Sequence, residues 1–135
     1  AYICNLGDSR IYRFSKGEFS QISRDHVLKS CRFGKAPLTQ FLGVEETEMK
    51  LEPAIAAIPY QDRDRYLLCS DGVTDMLSDR EIEEIMKLED SIRDIAHALL
   101  TRVLDKGARD NTTIILCEVR ADNWPLKTWF LQKKG

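Results

Sequence analysis

The stretch YLLCSDGVTDMLSDRE, residues 66–81, contains the sharpest change of character in the chain. Residues 66–69 are apolar without polar alternation, which predicts a strand buried on both faces. Asp71 and Gly72 follow directly, and a glycine here allows a backbone geometry that a side chain would resist. Residues 78–81 read Ser-Asp-Arg-Glu, a capping box that predicts the start of an amphipathic helix. A carboxylate at the end of a buried strand is well placed to hold a metal ion or a reacting group.

Length, charge and cysteine usage narrow the class of protein. The 135 residues suit one domain or part of one, and the net charge of −2 argues against a nucleic-acid binder. No apolar run is long enough to cross a bilayer, and the first residues lack the pattern of a signal peptide. The four cysteines form no C-x-x-C pair, which favours reduced thiols in a cytoplasmic protein. The chain starts without methionine and enters a strand almost at once, so we interpret it as a fragment.

Hydrophobic periodicity predicts a run of strands, then two helices, then a strand. Residues 2–6, 11–14 and 19–22 are predicted to form a three-stranded meander. Strands 48–52 and 55–58 are predicted on either side of a proline, and two further strands at 66–69 and 112–119. The predicted helices are a short one at 24–28 and two longer ones at 79–87 and 92–104, with an irregular loop over 30–43. This order predicts a layered α+β fold with a largely antiparallel sheet and two C-terminal helices packed on one face. Residues 121–135 form a tail without a clear period.

Three acids occupy similar positions next to predicted strands. Asp8 follows a strand and a glycine, Asp71 follows a strand, and Asp110 precedes one. If these strands are neighbours, the three carboxylates converge at one end of the sheet, and such a cluster needs Mg²⁺ or Mn²⁺ to offset its repulsion. Aspartate is also common in turns, where it bonds its own backbone. Spacing alone favours this second interpretation.

Four sequence motifs favour the metal site over the interpretation as ordinary turn residues. In order along the chain they are NLGDSR (5–10), RDH (24–26), LCSDGVTDML (68–77) and ARDNTT (108–113). Together they resemble successive motifs of the metal-dependent protein phosphatase family (protein phosphatase 2C), most closely its bacterial branch. The resemblance implies part of an α-β-β-α sandwich and hydrolysis of phosphoserine and phosphothreonine in a phosphoprotein substrate. It also implies two or three Mn²⁺ or Mg²⁺ ions in the complete domain, which activate a water.

The resemblance also implies roles for single residues. Asp71 and Asp110 match metal ligands of the family, and Asp8 matches a residue of a third, weaker metal site. Ser70, Gly72 and Asn111 match positions that support these ligands. No side chain acts as a nucleophile in this mechanism, so no catalytic residue is expected beyond the metal ligands.

One family motif is absent from the sequence. The family's N-terminal half carries a metal-bridging aspartate in a D-G-x-G-G motif, and this chain contains none. We therefore interpret residues 1–120 as the C-terminal portion of a phosphatase domain, with little or no activity alone although the parent protein is an enzyme. The alternative is a non-catalytic, phosphatase-like binding module. An incomplete sandwich exposes apolar surface, so we further expect self-association, strand swapping, or coverage of the gap by the tail.

Overall fold

The computed structural model describes residues 1–28, 36–45 and 47–120, which contain six strands and three helices. The predicted tail and part of the predicted loop lie outside the described residues. The strands are β1 (Tyr2–Asn5), β2 (Arg10–Ser15), β3 (Glu18–Gln21), β4 (Ala54–Ala57), β5 (Arg65–Cys69) and β6 (Ile114–Glu118). The helices are α1 (Asp71–Thr74), α2 (Asp79–Met86) and α3 (Ile92–Asp105).

The strands form two antiparallel sheets, one of four strands in the order β3-β2-β5-β6 and one made of β1 and β4. The predicted three-stranded meander is wrong in its first member, because β1 pairs with β4 and not with β2. Gly7 has a φ of 106° and turns the chain between β1 and β2. The carbonyl and the amide of Gly7 are both hydrogen-bonded to His26. The turn is therefore held by the segment before residue 27, and it does not close a hairpin between β1 and β2.

Three local expectations also differ from the structure. Residues 24–28 are extended and not helical, because the His26 amide bonds to Gly7 and the Leu28 amide bonds to Pro37. Residues 48–52 form no strand, since the amides of Glu48 and Met49 both turn back to one carbonyl, that of residue 45. Helix α1 was not expected, because a four-residue helix is too short to show a hydrophobic period.

The core lies between one face of the four-stranded sheet and helices α2 and α3, as the sequence predicted. Strands alternate their side chains, so Tyr12 of β2 and Leu67 of β5 point to the same face, where both are fully buried. The buried helical residues facing them are Ile82, Ile85, Met86, Ile95, Leu99 and Val103. Ser78 caps α2 by a complete capping box with Glu81, which confirms the start predicted from the sequence.

The other face of the four-stranded sheet remains partly open. Leu68 of β5 is 36% exposed and Ile115 of β6 is 48% exposed, although both are apolar and paired in register. The expectation that residues 66–69 are buried on both faces is therefore wrong for Leu68, and β6 is less buried than predicted. These two residues and Ile11 line a groove of about 350 Å³ beside β1. No helix within the described ranges is both long and apolar enough to span a membrane.

A buried ion pair joins β2 to β5 at the far end of the same sheet. Asp64 is 1% exposed and accepts hydrogen bonds at Oδ2 from Arg13 Nη2 at 2.7 Å and Nε at 3.1 Å. The backbone amide of Gln61 also donates to this oxygen, at 3.1 Å. Burial opposes the charge, but hydrogen bonds from Ser15 and Arg13 outweigh it and lower the pKa of Asp64. This pair holds the sheet together away from the candidate site.

Candidate metal centre

The strand register brings the three predicted metal ligands to one end of the four-stranded sheet. Arg10, Cys69 and Ile114 are paired in one row across β2, β5 and β6. Asp8 precedes this row by two residues and Asp71 follows it by two, so both lie beyond the same sheet end. Asp110 lies in the loop that enters β6 at that end. The pairing therefore makes neighbours of the strands next to Asp71 and Asp110, which are β5 and β6. The strand that Asp8 follows, β1, pairs with β4 in the other sheet, so the expected adjacency of all three strands is wrong for Asp8.

Ser70 fastens the loop of Asp110 to the turn of Asp71. Its hydroxyl donates to the Asn111 carbonyl at 3.2 Å and accepts from the Thr113 amide at 3.0 Å. Its own amide donates to the Thr113 carbonyl at 3.1 Å. Ser70 occupies the N-cap position of α1 but makes no side-chain cap bond, because its hydroxyl is used across the sheet end. Ser70 therefore links the two segments, and its supporting role toward metal ligands stays a prediction.

Gly72 allows the two segments to come this close. A Cβ built on Gly72 would lie 2.3 Å from the carbonyl oxygen of Asn111 and 3.1 Å from Thr112 Oγ1. Gly72 is buried, and its φ is not in the left-handed region, so the requirement is steric and not conformational. Asn111 contributes its backbone here, and its amide donates to Asp110 Oδ1 at 2.7 Å. In this last bond the Asp110 side chain accepts from the adjacent backbone amide, as the turn interpretation of aspartate predicts.

The turn of Asp8 is held from its two sides by the segment before residue 27. Asn5 is buried and donates through Nδ2 to the Arg24 carbonyl at 2.9 Å. The Gly7 amide donates to His26 Nδ1 at 3.2 Å, and the His26 amide donates to the Gly7 carbonyl at 3.0 Å. His26 thus makes hydrogen bonds to Gly7 through both its ring and its backbone amide. Asp8 itself is half-buried.

Arg10 is engaged in an ion-pair network beside this turn. Its guanidinium contacts Asp25 Oδ2 at 2.8 and 2.9 Å and the Tyr12 hydroxyl at 3.1 Å. Asp79, at the start of α2, accepts from the Tyr12 hydroxyl at 2.7 Å. Burial opposes the Arg10 charge, but hydrogen bonds to Asp25 and Tyr12 raise its pKa. With its donors bound to protein groups, Arg10 braces the turn, and a role in gripping phosphate is not supported.

The donor chemistry at this sheet end fits a hard divalent cation only in part. Asp8, Asp71 and Asp110 offer carboxylate oxygens, the ligands that Mg²⁺ and Mn²⁺ prefer. In residues 1–28, 36–45 and 47–120, however, no three or more His, Cys, Asp or Glu side chains are grouped closely enough to hold a metal ion. The individual ligand roles therefore stay predictions.

Cys69 lies next to the candidate ligands but is no nucleophile. It is 4% exposed, and burial raises the pKa of its thiol to about 11. The thiolate is the reactive form of cysteine, so Cys69 is inert near neutral pH. This agrees with the prediction that residues 66–69 form a buried strand.

Sequence reasoning missed the contacts of Thr113, Asn5 and Asp25. Each is a long-range contact between segments that no periodicity connects. Thr113 bonds Ser70, Asn5 bonds the Arg24 carbonyl, and Asp25 bonds Arg10. Only the last contact left a signal in the sequence, the opposite charges of the motifs RDH and GDSR.

The sequence was compared with known proteins and protein families. No protein-family model matches the chain. It is 35% identical over 130 residues to the serine/threonine phosphatase stp of Listeria welshimeri, covering 86% of the chain and 50% of that protein. It is 29% identical over 127 residues to the serine/threonine protein phosphatase PstP of Mycobacterium tuberculosis, covering 87% of the chain and 24% of that protein. The chain thus spans half the length of its Listeria relative.

Solved structures of bacterial phosphatases are similar to this chain over about half of their own length. The Streptococcus agalactiae serine/threonine phosphatase superposes with a TM-score of 0.74 at 26% identity, over 85% of this chain and 52% of that one. The catalytic domain of PstP, solved in complex with two manganese ions, superposes with a TM-score of 0.71 at 29% identity, over 88% of this chain and 53% of that one. The predicted fold class is therefore confirmed.

Proposed function

We propose that this chain, which is related to the bacterial metal-dependent serine/threonine phosphatases over about half their length, is the C-terminal portion of such a phosphatase domain. The complete domain hydrolyses phosphoserine and phosphothreonine in proteins. The observation that carries the proposal is the contact between the segments of Asp71 and Asp110, which Ser70 bonds together and Gly72 allows to touch. Two acids fixed in this way at a sheet end suit metal-assisted hydrolysis better than a turn role alone.

In this proposal the chain's own residues hold and orient divalent cations. Asp71 and Asp110 provide carboxylates for the main site, and Asp8, with Asp71, provides those for a weaker one. Ser70 and Asn111 keep the two main ligands at a constant separation. Bound Mn²⁺ or Mg²⁺ supplies Lewis acidity and a water of lowered pKa for attack on phosphorus. The two manganese ions in the PstP complex support this choice of metal.

The chain alone is expected to have little or no activity. Its described residues group no three metal-ligating side chains, and its sequence has no D-G-x-G-G motif to bridge two ions. The open sheet face at Leu68 and Ile115 supports a complementary half that supplies both the missing ligand and apolar cover.

The test is a complementation assay. The 135-residue chain is assayed for Mn²⁺-dependent hydrolysis of p-nitrophenyl phosphate alone, with the N-terminal half of the Listeria relative, and with that relative's C-terminal half. Activity is expected only with the N-terminal half, and it should disappear with Asp71→Asn or excess chelator but persist with Asp90→Asn, a change at an exposed acid. Phosphoserine peptides then establish the substrate class.

Two other outcomes would change the proposal. Activity of the chain alone would mean that the site is complete without a complementary half. Mn²⁺ binding without hydrolysis in every mixture would favour the non-catalytic, phosphatase-like binding module.

Self-association and a cytoplasmic setting are part of the same proposal. The open apolar face could be covered by a second copy of the chain, and sedimentation of the chain with and without the Listeria N-terminal half distinguishes the two occupants. A dimer that dissociates on adding the N-terminal half is expected. The free thiols of Cys4, Cys69 and Cys117 suit a reducing compartment.

A further inference from the structure

The two outer strands of the four-stranded sheet differ in chemistry. In β3, residues 18–21 read Glu-Phe-Ser-Gln, so all but one are polar. In β6, residues 114–117 read Ile-Ile-Leu-Cys, with no charge and no proline among them. Natural proteins protect exposed sheet edges with charged side chains, prolines or bulges. Strand β3 therefore has the sequence of a terminal strand, whereas β6 has that of a strand with neighbours on both sides.

Side chains become more exposed toward β6 on both faces of the sheet. On the core face, Leu67 of β5 is fully buried, while its partner Leu116 of β6 is half-buried. On the other face, the paired row Ile11, Leu68 and Ile115 is 8%, 36% and 48% exposed. Apolar cover is therefore missing above and below the same edge strand.

The backbone of β6 also directs hydrogen-bonding groups toward this edge. In an antiparallel ladder, alternate residues direct their N–H and C=O groups to the same neighbour. Thr113 and Val119, which flank β6, both form backbone hydrogen bonds on the β5 side. The backbone groups of Ile114, Leu116 and Glu118 therefore face away from β5, where no strand within the described residues pairs with them.

We infer that the free edge of β6 takes up one further β-strand, apolar on both faces, from the half of the phosphatase domain that this chain lacks. The inference rests on the proposed function and deepens it by naming where the complementary half attaches. The chain covers 50% of its Listeria relative, so the other half of such a protein has enough polypeptide to supply the strand. The added strand bonds to the outward backbone groups of β6, and its side chains cover Leu116 on one face and Ile115 on the other.

Two other occupants fit the edge less well. The tail, residues 121–135, contains Pro125 and three lysines, which oppose pairing inside a sheet. Full overlap of two β6 strands about a two-fold axis places Glu118 of each copy opposite Ile114 of the other, so a charge lies against an apolar side chain. A strand that is apolar on both faces meets neither obstacle.

The first measurement is amide hydrogen exchange of the 135-residue chain, followed by NMR. In the chain alone, the Leu116 amide is expected to exchange quickly, while the Ile115 and Cys117 amides, which face β5, are protected. Adding the N-terminal half of the Listeria relative should slow exchange at Leu116 at least about tenfold, because this amide gains a partner. The Phe19 amide on the β3 edge is the matched control, since it faces away from β2 and should be unaffected.

The second measurement compares two substitutions at Ile114, the first residue of β6. Ile114→Pro removes an outward-facing amide, and proline is tolerated at the start of a strand. Ile114→Ala shortens the side chain but keeps the amide, so it is the matched control, and calorimetry verifies that both variants fold. In titrations with the N-terminal half, Ile114→Pro should bind about fivefold more weakly than Ile114→Ala, and equal affinities would overturn the inference.

The exchange data also distinguish the possible occupants of the edge. Slow exchange at Leu116 in the chain alone would overturn the inference, and it would indicate a second copy if it depends on concentration and the tail if it does not. Binding of the N-terminal half with unchanged exchange at Leu116 would overturn it too. So would a failure of this half to bind the chain although it binds the Listeria C-terminal half.

Failure of the inference and failure of the proposed function can be distinguished. Mn²⁺-dependent hydrolysis by an assembly in which Leu116 still exchanges quickly would overturn the inference alone. A protected Leu116 amide in an assembly that neither binds Mn²⁺ nor hydrolyses phosphate would overturn the proposed function and support the strand addition.

Discussion

Gly72 offers the sharpest test of how the candidate site is built. In Gly72→Ala the new methyl would lie 2.3 Å from the backbone oxygen of Asn111, so that carbonyl must move back by about 1 Å to reach an ordinary van der Waals distance. The obstacle is backbone and not a flexible side chain, so no rotamer change relieves it. The substitution should therefore push apart the segments that carry Asp71 and Asp110.

The expected change in the free energy of unfolding combines two destabilising effects and one stabilising effect. Overpacking at a buried position costs about 2 kcal/mol, and weakening the two Ser70 hydroxyl bonds to this loop costs about 1 kcal/mol more. Alanine in place of glycine inside a helix returns about 1 kcal/mol. The free energy of unfolding should fall by about 2 kcal/mol, which corresponds to a drop in Tm of about 8 °C for a chain of this size.

Urea unfolding and calorimetry of the 135-residue chain measure this change. Gly17→Ala is the control, because Gly17 has a positive φ but open space around its Cβ position, so it should lose about 1 kcal/mol by strain alone. Adding Thr112→Ala to Gly72→Ala should recover little stability, since the closest atom is the carbonyl. A Gly72→Ala chain as stable as wild type would refute the steric argument.

Three further predictions concern the rest of the fold. Asp64→Asn should lower the free energy of unfolding by about 3 kcal/mol at neutral pH, because it leaves Arg13 without its buried partner. The pKa of Asp64 is lower in the folded than in the unfolded state, so its contribution to the free energy of unfolding is present above the unfolded pKa and is lost as the pH falls through the folded pKa. Urea unfolding should therefore show the stabilities of Asp64→Asn and wild type converging in acid. The Asp90→Asn control should show no such convergence. Mass spectrometry after iodoacetamide treatment should find Cys4 labelled long before Cys69, and faster labelling of Cys69 would contradict its burial. Leu99→Ala, at a fully buried position, should cost about 3 kcal/mol by calorimetry, and a loss under 1 kcal/mol would contradict the packing of α3 on the sheet.

Local signals in the sequence located most elements correctly. The capping box at residues 78–81, the apolar stripe of α3 and the buried character of Leu67 all depend on contacts within a few residues or on a simple period. Such patterns survive in the sequence because burial repeats at the period of the helix or strand. Helices α2 and α3 and strand β5 were therefore predicted with bounds close to the observed ones.

Errors arose where long-range hydrogen bonds decided the structure. Residues 24–28 have a composition that suits a short helix, yet His26 and Leu28 find their backbone partners at Gly7 and Pro37. Strand β1 pairs with β4, about fifty residues away, and not with the neighbouring β2. The open face at Leu68 also escaped prediction, because an apolar strand looks the same whether the chain covers one face or two.

The sequence by itself determined which residues carry the candidate chemistry. Asp8, Asp71 and Asp110 stood out through their motifs. Gly72 stood out too, but for a special backbone conformation, whereas the structure shows that its requirement is steric. Only the tertiary structure decided how these motifs meet. The register of β2, β5 and β6 brings their ends into one row, and Ser70 bonds two segments forty residues apart. Local propensity carries no information about such contacts, because their free energy arises only when the whole sheet has formed.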